Sequence, residues 1–113
     1  MPFFIPCATI SNNSQQYMEA LLRIINQTFE IEKKATGQTA ILRHVERIKN
    51  AFDELGYQIH NPIGERYDET RTDCDASIAG ARTEHLVVKE VIKPIIRQGG
   101  MIVQNGVVIV EGV

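Results

Sequence analysis

Ile41-Leu42-Arg43-His44-Val45-Glu46-Arg47-Ile48-Lys49-Asn50-Ala51-Phe52-Asp53-Glu54-Leu55-Gly56-Tyr57-Gln58-Ile59-His60 decides the fold, because its apolar spacing changes at Gly56. Before the glycine, Ile41, Val45, Ile48, Phe52 and Leu55 step by four, three, four and three, the heptad-like seam of a packed helix. After it, Tyr57 to Ile59 alternates apolar and polar residues, as a half-buried strand does, up to the turn residues Asn61-Pro62 and Gly64. Gly56 suits the boundary, since glycine accepts the left-handed conformation that ends many helices. Thr36 or Thr39 is expected to cap the helix start through its hydroxyl.

Towards the N-terminus the pattern stays helical. From Ser14 to Leu55 there is no proline and a single glycine, Gly37. Met18, Leu21, Leu22, Ile25 and Phe29 share one face at the three-and-four spacing, and Tyr17, Ile24 and Ile31 form a second stripe beside it. Asn13 or Ser14 is the expected cap, and Lys33 and Lys34 suit the negative end of the helix dipole. The segment from Ser14 to Gly56 therefore reads as a hairpin of two helices, about 31 Å and 24 Å long at 1.5 Å per residue. Apolar arcs this wide need more cover than one helix gives another. A second copy of the hairpin is expected to supply it, in a dimeric four-helix bundle; the alternative is a compact monomer with the C-terminal sheet laid on the hairpin. The interface would be Leu21, Leu22, Ile25, Phe29, Ile41, Val45, Ile48 and Phe52.

Towards the C-terminus, the stretch from Glu65 to Asp75 is rich in charge and reads as a solvated loop. Leu86 to Ile92 is strand-like, Pro94 interrupts, and Ile95-Ile96 resumes. Gln98-Gly99-Gly100 marks a tight turn. The Asn105-Gly106 pair between Met101-Ile102-Val103 and Val107-Val108-Ile109-Val110 predicts a β-hairpin. The expected fold class is α+β: an arm over residues 1–13, the helical hairpin over 14–56, and a small, mostly antiparallel β-domain over 57–113.

The chain has 113 residues, 43% hydrophobic, and a net charge of -2 from 12 basic and 14 acidic side chains. That is room for one domain. The charge balance lacks the basic surplus of a nucleic-acid binder. Met1-Pro2-Phe3-Phe4-Ile5-Pro6 has no positive lead and is broken by prolines, so it does not read as a signal peptide. No apolar run has the length of a membrane helix. Cys7 and Cys74 lack disulfide-scaffold or zinc spacing, and a cytoplasmic protein with two free thiols is expected.

Enzyme motifs are absent: there is no nucleophile elbow, phosphate-cradling glycine loop or metalloprotease helix. His44, His60 and His85 have no histidine or cysteine at ligand spacing. Asp73, Asp75, Ser77 and Glu84 match oxygen positions of a calcium loop, but Ile78 stands where its sharp turn needs glycine, so a solvated acidic loop is the expectation. Arg43, Arg47 and Lys49 make a basic face on the second helix, with Glu46 placed to pair with Arg43. No catalytic residue, metal or cofactor is assigned.

The run Arg47-Ile48-Lys49-Asn50-Ala51-Phe52-Asp53-Glu54-Leu55-Gly56-Tyr57-Gln58-Ile59 resembles the junction in the GrpE family where the last bundle helix enters the β-domain. Pro62-Ile63-Gly64-Glu65-Arg66-Tyr67-Asp68, then Cys74-Asp75-Ala76, is similar to that family's segment of phenylalanine-aspartate and then histidine-glutamate-alanine, with Cys74 where the family has histidine. Val87-Val88-Lys89-Glu90-Val91-Ile92 resembles its following strand, and Gln98-Gly99 its turn. Pro94-Ile95 stands where the family has glycine-tyrosine, and Gly100 and Val103 occupy arginine positions. The resemblance implies a homodimer that binds the nucleotide-binding domain of a DnaK-type heat-shock chaperone and promotes ADP release. It implies docking around Arg97, Met101, Val103 and Gln104, with Arg43 and Arg47 as a second contact. The alternative is a GrpE-like dimeric interaction module without exchange activity.

Overall fold

The computed structural model describes residues 7–113, with side chains from Gln15 onward. Helices α1 (Cys7–Lys34) and α2 (Thr39–Glu54) are followed by seven strands: β1 (Tyr57–His60), β2 (Arg66–Tyr67), β3 (Cys74–Ala79), β4 (Leu86–Lys93), β5 (Ile95–Gln98), β6 (Met101–Gln104) and β7 (Gly106–Gly112). The α+β class, the helical hairpin and the mostly antiparallel β-domain are as expected. The particle is elongated, 60 × 36 × 20 Å with a radius of gyration of 17.1 Å, against about 13 Å for a compact domain of this size.

Helix α1 starts well before the expected caps: Asn13 and Ser14 lie inside it, and Cys7 to Asn13, assigned to an arm, are helical. The rest of that arm, residues 1–6, lies outside the described residues. Lys33 and Lys34 do occupy the last turn. Neither threonine caps α2. Its N-cap is Gln38, with no side-chain bond, and Thr39 is already helical. Thr36 instead donates its hydroxyl to the Lys33 carbonyl at 2.9 Å, satisfying an end group of α1. Gly56, at φ +90°, ends α2 as expected, and its amide donates to Asp53 O at 2.9 Å.

The strands form two sheets, a three-stranded one in the order β1-β5-β6 and a four-stranded one in the order β2-β4-β7-β3. All pairs are antiparallel except β3 with β7. The tight turn is the hairpin: β5 and β6 join through Gly99 and Gly100, both at positive φ, with Gln98 opposite Met101. This is the twist-matched geometry of a two-residue connection. The hairpin predicted at Asn105-Gly106 does not form. Met101–Gln104 pairs in one sheet and Gly106–Gly112 in the other, so Asn105 is a crossover. Pro94, fully buried, marks the second crossover, between β4 and β5. Glu65 to Asp75 is not a plain solvated loop either, since it includes β2 and the start of β3.

Two buried clusters hold the layers together. Ile25 of α1, Phe52 of α2, Tyr57 of β1 and Ile96 of β5 form one, with Met18, Leu21, Leu22, Ile59 and Val103 packed on it. The other contains Phe29 of α1 with Cys74, Leu86, Val88, Val91, Ile95, Val108 and Val110, and Tyr67 and Ala76 at its margin. Successive strand residues point to opposite faces, which is why adjacent Ile95 and Ile96 enter different clusters.

Candidate docking surfaces

The side chains proposed for partner docking fall into three environments. Met101 is 74% exposed at the start of β6, followed by the part-exposed Ile102. Val103 packs inward on the Ile25–Phe52–Tyr57–Ile96 cluster. Gln104 is occupied: it exchanges two 2.9 Å amide bonds with Asn26 of α1 and donates to Pro94 O at 2.9 Å. Arg97 lies half-buried on β5, its Nη2 3.8 Å from Oδ2 of Asp73, the residue just before β3. The free apolar surface of this region is thus Met101-Ile102, on the edge strand of the three-stranded sheet. The Gly99 amide donates to Gly56 O at 3.2 Å, which fixes the turn against the end of α2.

Arg43 and Arg47 are exposed on α2. The expected Arg43–Glu46 pair is not formed, and neither arginine makes an ion pair among the described residues. Lys49 leaves this face altogether, pairing with Glu32 of α1 at 3.0 Å.

The eight residues expected at a dimer interface divide between inside and outside. Ile25, Phe29, Val45 and Phe52 are buried within the single chain, Leu21 and Leu22 partly so, while Ile41 and Ile48 are exposed. The second α1 stripe remains uncovered with them. Tyr17, Ile24 and Ile31 on α1, and Ile41, Ile48 and Leu55 at α2, are each 41 to 64% exposed. Members of each trio are seven residues apart, a spacing that returns to nearly the same helix face. Ile31 and Ile41 line one hollow together with Ala35, so the two trios flank the same side of the hairpin.

A network of charged groups joins the sheets, and sequence reading missed it. Arg71 Nε donates to Asp73 Oδ1 at 2.7 Å, Nη1 to Arg66 O at 2.9 Å and Nη2 to Glu65 Oε1 at 2.7 Å. His60 Nε2 of β1 lies 2.6 Å from Glu65 Oε2. The Arg71 hydrogen bond holds the Asp73 carboxyl below its ordinary range, against the opposing effect of burial. For Glu65, burial pushes upward, but bonds from Arg71 and His60 outweigh it and the carboxyl is lowered. Burial, then the neighbouring Asp73 charge, push the Cys74 thiol up, which keeps it protonated and a poor nucleophile. Cys74 is a free thiol; the Cys7 side chain lies outside the described residues. The only sequence signal for the network was the density of charge between Glu65 and Asp75.

The candidate calcium loop takes another form, since Cys74–Ala79 is an extended strand and Arg71 holds Asp73. Among the described residues, no three His, Cys, Asp or Glu side chains gather as a metal site would need. Nor, among the described residues, is any helix long and apolar enough to cross a membrane. Comparison with protein-family models, curated proteins and solved structures returns no match to this chain.

Proposed function

We propose that this protein is a GrpE-like co-chaperone, a homodimer that promotes ADP release from a DnaK-type chaperone by binding its nucleotide-binding domain. The observation that carries the reading is the pair of uncovered heptad trios, Tyr17-Ile24-Ile31 and Ile41-Ile48-Leu55, on one side of a hairpin that leads through Gly56 into a β-domain. Two such hairpins, each with its own inward stripe already buried, cover one another as a four-helix bundle. The β-domain then meets the chaperone through Met101-Ile102 and the adjoining turn, with Arg43 and Arg47 as a second, electrostatic contact.

Such a protein needs no catalytic group. If it binds the open, nucleotide-free chaperone more tightly than the ADP-bound form, linkage requires that it weaken ADP binding by the same factor. A β-domain stapled between its sheets and fixed to a helical stalk is suited to discriminate the two forms. The second reading, a dimeric interaction module without exchange, is favoured by the commitment of Arg97 to Asp73 and of Val103 to the core.

The deciding measurement is release of fluorescent ADP from the same organism's DnaK-type chaperones in stopped flow. Acceleration on the order of 10- to 100-fold is expected; no acceleration by a folded dimer rejects exchange and leaves the module. Ile48→Asp puts charge on the uncovered stripe. Sedimentation should then show a folded monomer in place of a dimer, and a wild-type chain that is already monomeric would overturn the bundle.

A further inference from the structure

The four-stranded sheet is curled enough that its two outermost strands line one hollow. Tyr67 of β2, Ala76 and Ile78 of β3, and Leu86 of β4 form the apolar part of a depression of about 520 Å³. Tyr67 and Ala76 continue into the buried cluster below it. Among the described residues, none from helix α1 lines this hollow. Lys33 of that helix bonds Val91 O, five residues along β4 from Leu86, about 17 Å away at strand rise.

One wall of the hollow is an open edge. Among the described residues, β3 pairs only with β7, and none of the backbone hydrogen bonds outside the strand ladders uses residues 74–79. The edge carries neither lysine nor proline, the residues that commonly guard exposed edges. Ile78 is 50% exposed on it. A row of in-plane donors and acceptors is fully satisfied only by another extended backbone, and an apolar hollow beside that row accepts side chains at every second position. Asp68 and Glu69 on the rim and Asp75 on β3 outnumber Arg66. Hydrogen bonds from Thr70 keep Asp68 ionised.

We infer that β3 is a strand-addition site: an extended peptide of a partner protein, alternating apolar and basic residues, pairs with Cys74–Ala79 and seats its apolar side chains between β3 and β2. The site lies on the other sheet from Met101-Ile102, and it does not depend on chaperone binding or dimerisation.

The experiment is a display selection of random 12-residue peptides on the full-length chain, followed by amide hydrogen exchange with the enriched sequences. Enriched peptides should alternate apolar and basic residues and slow exchange within residues 74–79 about tenfold or more. Ile78→Lys, at a half-exposed position, should weaken them about tenfold while leaving the fold intact. Backbone N-methylation supplies a test that needs no protein variant. Methyl groups on one alternate set of peptide amides should abolish binding and on the other set should not, because only one set faces the edge. Equal tolerance of both sets, protection confined to other residues, or no enrichment above bare matrix would each overturn the proposal. Protection of 74–79 that rises with protein concentration alone would overturn it in favour of a second copy at this edge.

Discussion

The two buried clusters are built on different plans. The one under the three-stranded sheet takes a single residue from each of four elements, Ile25, Phe52, Tyr57 and Ile96. The one under the four-stranded sheet is almost wholly β, with seven strand residues and Phe29 alone from a helix. Removing helix from the first would take away half of its buried members, Ile25 and Phe52, whereas the second would lose only Phe29. Helix α1 is therefore the spine of the molecule: Ile25 and Phe29, four positions apart and one turn along the same face, each enter a different cluster. Its fastening to the second sheet is reinforced by Lys33, which lies 5.0 Å from the Phe29 ring centroid and donates to Val91 O at 2.9 Å.

The largest effect is expected where that asymmetry is sharpest. Phe29→Ala should cost about 3–5 kcal/mol, the range for deleting a buried aromatic side chain. Urea unfolding followed by circular dichroism measures it. If the two clusters are unequal in their need for helix, amide exchange in the variant should rise in β4 and β7 while β1 keeps its protection. A loss below about 1 kcal/mol would mean that the helix merely rests on the second sheet.

Much of this architecture was legible in the chain because it rests on local periodicity. The change of spacing at Gly56 located the helix-to-strand boundary, and Gly99-Gly100 located a turn. Asn105-Gly106 misled for a physical reason. A hairpin signal reports turn chemistry, but Gly106 is required by space: a Cβ there would meet Ile95 Cγ1 at 2.9 Å and Cys74 Sγ at 3.3 Å. Strand β3 was missed because Cys74-Asp75-Ala76-Ser77-Ile78-Ala79 has weak β-propensity, and its parallel partner β7 lies far along the chain. At the candidate surfaces, exposure of Ile41 and Ile48 beside burial of Val45 and Phe52 splits one seam. Periodicity gives the seam, but only packing decides which members a chain covers for itself.

The charged network gives a second, smaller way to break the comparison, because it couples the two sheets without belonging to either cluster. Arg71→Ala removes the shared donor to Glu65 and Asp73 and should cost about 2 kcal/mol, given bonds to charged groups that are only partly solvated. Both carboxyl values are lowered in the fold. Their stabilisation is therefore complete above the ordinary carboxylate range and is lost as pH falls through it towards the folded-state values. Wild type should accordingly lose stability between about pH 5 and pH 3 more steeply than Arg71→Ala. Parallel slopes in urea titrations across that range would show that the network does not lower these carboxyls.

The smallest expected effect tests the polar fastening between α1 and the crossover. Gln104→Leu keeps roughly the same volume but loses the two bonds shared with Asn26 and the bond to Pro94 O. Asn26 and Gln104 both line an open crevice, so water can replace part of what is lost, and a cost of about 1 kcal/mol is expected. Asn26→Ala in the same background should add little, because the two side chains chiefly satisfy each other; additive losses would show that they act separately. The cycle also bears on docking. If Gln104 serves the fold through Asn26, the chaperone binding proposed above should be the same for Gln104→Leu as for wild type once both are fully folded, whereas Met101→Asp, at an exposed position, should weaken it.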